Sequence, residues 1–431
     1  MDIDKPSSST SPLSYLEHQE AASPAEFKPW WSRIRTAYEK KLWHNLTVAL
    51  NEFVFLSGTG SYQIELFEKF ITTIESKINA LKLVEIARRV GREYTEPDLT
   101  LKFLESVHSR LPSPYAVPAT ADTPGTPAPA RPIPEAYALS LSSIAYAQLL
   151  LGDLPACKIS LDKCSALLQD QDSVEPVVNA GYYGVAGDYF KVKADYGPYY
   201  RNALLYLACV DTDNELSEED RTSRAHDLCI AALLGETIYN FGELVGTLSL
   251  CIYHIPDLTV LQLQHPILQT LVGTEHEWIK TLISAFNSGE IGKFESLANH
   301  FPSEPILESS LSFLRQKICL MALIQTAFAR PRDGSSKAMS FQNIAEATRL
   351  PVHEVEHLIM KALSLGLIRG SIDQVASTVE ITWVQPRVLE QSQLETLSEQ
   401  VAQWCLHIKG LGDNVTQMRN KAKEQGVLIP V

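Results

Sequence analysis

LSFLRQKICLMALIQTAF at residues 311–328 and SFQNIAEATRLPVHEVEHLIMKALSLGLIRGSIDQVASTVEITWVQP at residues 340–386 decide the fold. In the first, Leu314, Ile318, Met321, Ala322 and Ile324 share one broad helical face, and the run Ala329-Arg330-Pro331-Arg332-Asp333-Gly334 stops the helix. In the second, Ser340 is placed to cap a short helix from Phe341 to Thr348. Pro351, with its fixed φ, suits the first position of a third helix ending at Gly366. Two extended runs follow, Leu367 to Ile372 and Thr378 to Val384, joined by the polar stretch Asp373 to Ser377. Three helices and a two-stranded wing make a winged helix-turn-helix.

That fold is usually met in proteins that read DNA, but these residues argue against it. With Val355 at the centre of the buried face, a turn of about 100° per residue places Val352, Leu358, Ile359, Ala362 and Leu363 beside it. His353, Glu354, Glu356, His357, Met360 and Lys361 then point outward. Base edges and phosphates call for donors and cations, and two glutamates on the reading face supply neither. The expectation is a protein that does not bind nucleic acid.

Composition agrees. The chain has 431 residues, 45% of them hydrophobic, enough for a substantial core and two or three domains. A formal net charge of -14 opposes non-specific attraction to phosphate backbones and anionic lipid. The seven cysteines form no C-x-x-C pair and sit in apolar surroundings, as small buried thiols of a reducing compartment do. Met1 to Ser11 is polar with no secretory character, and no apolar stretch reaches membrane-spanning length. A protein of the cytoplasm and nucleus, with no membrane contact, is expected.

Ahead of the winged helix the pattern is helical throughout. Residues 1–24 read as a disordered tail. Residues 25–198 read as N-terminal helical repeats: Glu26 to Leu56 as a helix pair, then Tyr62 to Ile78, Leu81 to Arg89 and Pro97 to about Arg110. Pro112 to Pro134 interrupts them, with eight prolines in 23 positions, a composition suited to a mobile surface loop. Ala138 to Leu168, with Gly152-Asp153 at its centre, resembles a tetratricopeptide-like hairpin. Cys157 and Cys164 share a helical face there, where burial explains them better than a metal. Tyr182, Tyr183, Tyr189, Tyr196, Tyr199, Tyr200 and Tyr206 are expected to pack between helices, because the basic groove of a single-strand platform is missing. His226 to Phe241 reads as one helix, and Trp278 to Phe286 and Ile291 to Asn299 as two more.

Two motifs look catalytic. His353-Glu354-Val355-Glu356-His357 is a literal H-E-x-x-H, the spacing by which zinc peptidases place two imidazoles and a general base. A third ligand would have to come from Asp373 or Glu380, and the face belongs to a helix-turn-helix open to solvent, so solvated histidines are expected. Gly58-x-Gly60 lacks both the preceding strand and the lysine of a phosphate loop. No nucleophile with a partnered base can be assigned, so no enzyme and no cofactor is expected.

Beyond the wing, Leu394, Leu397, Val401, Trp404 and Ile408 recur at three and four, a stripe that must be buried against something. At this point several segments resemble a known family: Tyr199 to Leu204, Cys209-Val210-Asp211, Leu234-Gly235-Glu236, Asn240 to Leu244, Phe286 to Gly289, Leu314 to Ile318, Val355 to Ser364, Gly370 to Asp373 and Thr382 to Arg387. They are similar to the non-ATPase subunit 13 family of the 26S proteasome regulatory particle, whose members carry a PCI domain, and the overall character resembles the fungal branch.

The resemblance implies a mainly α fold: a TPR-like array, the helical part of a PCI domain over 199–310, its winged helix over 311–386, and a C-terminal helix and tail over 387–431. It implies a non-catalytic lid subunit supporting ubiquitin-dependent protein degradation, with no active-site residues and no cofactor. Its partners would be other lid subunits. They would be met through the wing, at Leu367, Ile368, Ile372, Ile381 and Trp383, and through a bundle helix over Leu389 to Ile408 that carries the stripe from Leu394 to Ile408. The alternatives are a PCI scaffold of the COP9 signalosome, of translation initiation factor 3 or of mRNA export, and a metallopeptidase built on His353, Glu354 and His357. Residues 245–264 depart from the family's pattern. Beginning Val245-Gly246-Thr247 and ending Leu263-Gln264, they are compatible with translation of a retained intron.

Overall fold

The computed structural model describes residues 12–56, 58–112, 133–171, 173–210, 217–241, 244, 266–328, 338–385, 398–399, 401–412 and 415. The chain divides into two compact units, residues 1–215 and 216–431. The Pro-rich segment, except at its edges, and the atypical segment 245–264 lie outside the described residues.

The first unit is a succession of helices. They are α1 (Pro12–Ala22), α2 (Lys28–Glu39), α3 (Trp43–Phe55), α4 (Gly60–Leu66), α5 (Thr72–Ile74), α6 (Ala80–Gly91), α7 (Pro97–Arg110), α8 (Pro134–Leu150), α9 (Leu154–Gln169), α10 (Pro176–Val192) and α11 (Tyr196–Cys209). Prolines open α7, α8 and α10, where the missing N–H costs nothing. Asn79 caps α6 by accepting from the Leu81 N–H at 2.9 Å, and Asp153 caps α9 from the Ala156 N–H at 3.2 Å. Gly152, at φ +79, makes the turn between α8 and α9 that the Gly-Asp pair predicts.

Around α2, α3 and α6 the core is aromatic: Trp31 meets Phe53 edge-on at 4.9 Å, with Phe70, Ile34, Leu46 and Leu50 fully buried beside them. The tail expected over residues 1–24 is corrected from Pro12 onward. Tyr15 and Leu16 of α1 are buried in this core, and Tyr15 lies edge-on to Trp31 at 6.5 Å. Tyr62 to Ile78 is likewise no single α-helix, because a π-helical turn, Phe67–Ile71, separates α4 from α5. The tyrosines of α10 and α11 are inside or half-buried, Tyr189, Tyr199 and Tyr200 being buried, so they pack helix against helix.

The second unit starts with α12 (Glu218–Leu234), capped by Ser217. After a 3-10 turn, Pro266–Leu271, come α13 (Glu277–Ser288), α14 (Ile291–Leu297), a second 3-10 turn, Ala298–Ser303, and α15 (Pro305–Ser309). Gly289 ends α13 at φ +70, and a Cβ there would stand 2.9 Å from the Cα of Ala322, so only glycine lets the two backbones approach. The helix expected from His226 to Phe241 stops at Leu234, for a reason found in a helix further along the chain.

That helix is α16 (Leu311–Phe328), with Leu314, Ile318, Met321, Ala322 and Ile324 buried as its spacing requires. α17 (Phe341–Thr348) follows, its first turn capped by Ser340 from the Asn343 N–H at 3.4 Å, and Arg349 closes it at φ 48. α18 (Val352–Ser364) buries Val355, Leu358, Ile359 and Ala362. Pro351 precedes it as the cap instead of opening it, and Val352, expected inside, is 47% exposed at the helix's first turn. The wing is β2 (Ile368–Asp373) and β3 (Thr378–Val384), joined by a third strand the sequence did not announce, β1 (Ala338–Ser340). The sheet is antiparallel in the order β1-β3-β2, with Met339 and Ile372 both opposite Val379.

Candidate functional site

The wing presents a free edge. β3 is central, so among the described residues no strand pairs with the outer side of β2, and such an edge is the usual template for strand-to-strand contact with another chain. A bulge between Arg369 and Gly370 sets the extra residue Thr382 against them, since Arg369 pairs with Trp383 and Gly370 with Ile381. Gly370 is there because a Cβ would fall 2.0 Å from the Glu380 carbonyl oxygen. The bulge aims Arg369 and Trp383 to the same face, with the guanidinium 4.7 Å from the ring centroid.

Of the wing residues expected at an interface, Leu367 and Ile368 are each 1% exposed and belong to this chain's own core. Ile372 and Ile381 are half-buried, and Trp383 is exposed. Leu394 and Leu397 lie outside the described residues. Val401, Trp404 and Ile408 are 53%, 72% and 61% exposed on a helical segment, and Leu411 and Val415 continue the same stripe at 65% each. A run of large apolar side chains this open, recurring at three and four, is a face that nothing covers among the described residues.

The outer face of α18 carries His353, Glu354 and His357, all exposed, with the His353 Nε2 at 3.8 Å from Glu354 Oε1. Glu356 accepts from Gln374 at 3.2 Å, and Lys361 donates to Gln316. Among the described residues neither His353 nor His357 joins a third donor, and Asp373 and Glu380 complete no set with them. The cysteine pair of α9 is buried, Cys164 donating to the Ala138 carbonyl at 3.3 Å, and burial pushes the Cys157 and Cys164 thiols up to about 11 and about 12. No helix among the described residues is long and apolar enough to cross a membrane.

Two constellations went unseen in the sequence. Lys317, 1% exposed, aims its ammonium at the end of α12 and donates to the carbonyls of Ala232, Leu233 and Gly235 at 2.8, 2.9 and 2.8 Å. This ends the helix at Leu234: a buried cation takes the carbonyls at its negative pole. The second is a triad. His226 Nε2 is 2.9 Å from Glu304 Oε1, His276 Nδ1 is 3.9 Å from the same oxygen, and the two imidazoles lie 4.3 Å apart between centroids. The neighbouring carboxylates of Asp227 and Glu304 raise His226 above the ordinary histidine value against the opposing effect of burial.

A helical array followed by a winged helix whose sheet edge and trailing helix face outward, with a reading face unsuited to DNA, defines a PCI-type assembly subunit. Residues 294–383 match the PCI domain, and residues 30–283 match the family described as PSD13 N-terminal repeats. The chain is 37% identical over 398 residues to the 26S proteasome non-ATPase regulatory subunit 13 homolog B of Arabidopsis thaliana, covering 91% of this chain and 94% of that one. It is 36% identical over 407 residues to the probable 26S proteasome regulatory subunit rpn9 of Schizosaccharomyces pombe, covering 94% and 96%. A shorter likeness, 25% over 130 residues and 28% of each chain, links it to the eukaryotic translation initiation factor 3 subunit M of Emericella nidulans. The chain belongs to the 26S proteasome non-ATPase regulatory subunit 13 family, whose members are non-catalytic PCI-domain scaffold subunits.

Proposed function

We propose that this chain is a structural subunit of the 26S proteasome regulatory particle lid, acting in ubiquitin-dependent protein degradation in the cytoplasm and nucleus. The wing, through the outer edge of β2 with Ile372, Ile381 and Trp383, meets the winged helix of another PCI subunit. The C-terminal segment that carries Leu394, Leu397, Val401, Trp404 and Ile408 enters a bundle shared with partner chains. The observation that carries this reading is the exposed stripe from Val401 to Val415, in a chain that matches lid-subunit relatives almost end to end. An exposed apolar face of that kind marks a surface for a protein partner.

The test is native mass spectrometry of the tagged full-length protein purified from its own cells, beside a version ending after Arg387. A roughly stoichiometric lid with the full chain, and only subcomplexes with the shortened one, is the expected result. Recovery with translation initiation factor 3 subunits, or of either chain alone, would overturn it.

A further inference from the structure

His226 on α12, His276 just ahead of α13 and Glu304 just ahead of α15 come from positions up to 78 residues apart, yet their donor atoms all lie within 4.8 Å of one another. His226 and Glu304 are largely buried, at 18% and 17% side-chain exposure, while His276 at 40% forms the open side. Nothing in the scaffold reading uses them. Two imidazoles and one carboxylate are a recurrent three-ligand set for zinc, leaving a fourth position to water. Tetrahedral zinc with nitrogen and oxygen at ordinary lengths spaces its donors by roughly 3.3 Å. The separations of 2.9 Å and 3.9 Å found here bracket that value.

The surroundings fit as well. The other ring nitrogen of His226, Nδ1, faces the Asp227 carboxylate at 3.9 Å, on the side away from Glu304. A carboxylate behind a ligating imidazole fixes its tautomer and raises its basicity. His226 bonds directly to Glu304 at 2.9 Å, and a metal held by both would displace the proton they share. The donor set, imidazole with a single carboxylate, suits zinc or a neighbouring transition metal and not calcium or magnesium, which need a cage of oxygens.

We propose that His226, His276 and Glu304 form a binding site for a divalent transition metal of zinc type, with Asp227 orienting His226. The ion braces α12 against the starts of α13 and α15, the helices leading into the winged helix. It is separate from the H-E-x-x-H of α18, whose two histidines have no third ligand among the described residues.

The experiment is titration of chelator-treated full-length protein with zinc chloride alone at fixed neutral pH, read by calorimetry, and with cobalt chloride, read by its visible absorption. Four variants accompany it: His276→Ala, Glu304→Gln, Asp227→Asn and a His353→Ala/His357→Ala double. Wild type and the double variant are expected to bind one equivalent and to gain thermal stability on binding. His276→Ala, at a partly exposed position that tolerates truncation, and Glu304→Gln are expected to lose that equivalent. Asp227→Asn is expected to weaken binding by about 10- to 100-fold. Circular dichroism establishes that each variant is folded. Absence of binding to the wild type, or an undiminished equivalent in folded His276→Ala and Glu304→Gln, would overturn the proposal.

Discussion

Lys317 Nζ lies 2.9 Å from the carbonyl oxygen of Leu233, 84 residues earlier in the chain, and this contact fixes where α12 ends. In its protonated form the amine has three hydrogens for three carbonyl acceptors, with the rings of Phe241, Tyr239 and Phe313 at 5.2, 5.5 and 5.8 Å. Lys317→Met keeps the stem and removes the donors. It leaves three buried carbonyls without that partner, so a loss of about 3 kcal/mol or more is expected in denaturant unfolding.

The same group sets a pH dependence. Burial pulls Lys317 down from the ordinary lysine value to about 7. An unfolded lysine keeps its proton up to about pH 10.4. Between those values the unfolded chain binds more protons than the folded one, so this group's contribution to stability rises with pH through that window and falls away as pH drops towards 7. Unfolding measured at pH 7 and pH 9.5 should show wild type gaining stability relative to Lys317→Met. An equal response in both would refute the assignment.

These contacts also mark where sequence reading stopped. α16, α17 and α18 were legible because their signals are local: a 3.6-residue apolar spacing, a serine cap at Ser340, and Gly366 at φ +69 past the last turn. β1 was not, because three residues carry no period and its partner Val379 is 40 positions away from Met339. α1 was hidden by the polar composition around its two anchors, Tyr15 and Leu16. Lys317 resembled any helix lysine, and nothing local says that residue 317 faces the end of α12. The triad of His226, His276 and Glu304 has no spacing signature, whereas the H-E-x-x-H that has one is solvent-facing.

Gly370 sits at the bulge of β2, in close contact with the β3 backbone. In Gly370→Ala the methyl would sit against the Glu380 carbonyl oxygen, which belongs to the strand backbone and cannot swing aside. Overpacking of this kind typically costs about 1–3 kcal/mol. Hydrogen exchange should show faster exchange for amides of β2 and β3, with α1 to α11 of the first unit unchanged.

His353 and His357 serve as a negative prediction. Both are exposed, and neither has a third donor among the described residues. Their joint replacement by alanine is expected to shift unfolding free energy by no more than about 0.5 kcal/mol. A peptidase activity that vanished in Glu354→Gln would contradict the non-catalytic assignment.

Residues 245–264 make a claim about the gene instead of the fold. If they derive from a retained intron, mature messages sequenced from the source cells will join the codons for Leu244 and His265 directly. Finding the 20 codons in every message would reject the idea.

Trp404 separates stability from assembly. At 72% exposure it contributes little to the isolated chain, so Trp404→Ala should leave the unfolding free energy within about 0.5 kcal/mol of wild type. In a bundle the same ring would be a large apolar anchor, and truncating such an anchor commonly costs about 2 kcal/mol or more of binding free energy. The variant should therefore remain folded yet copurify with markedly less lid, and pairing it with Ile408→Ala on the same stripe should deepen the loss. A folded variant that recovers the full set of lid chains would show that this stripe is not the assembly face, and would leave the β2 edge to carry the attachment alone.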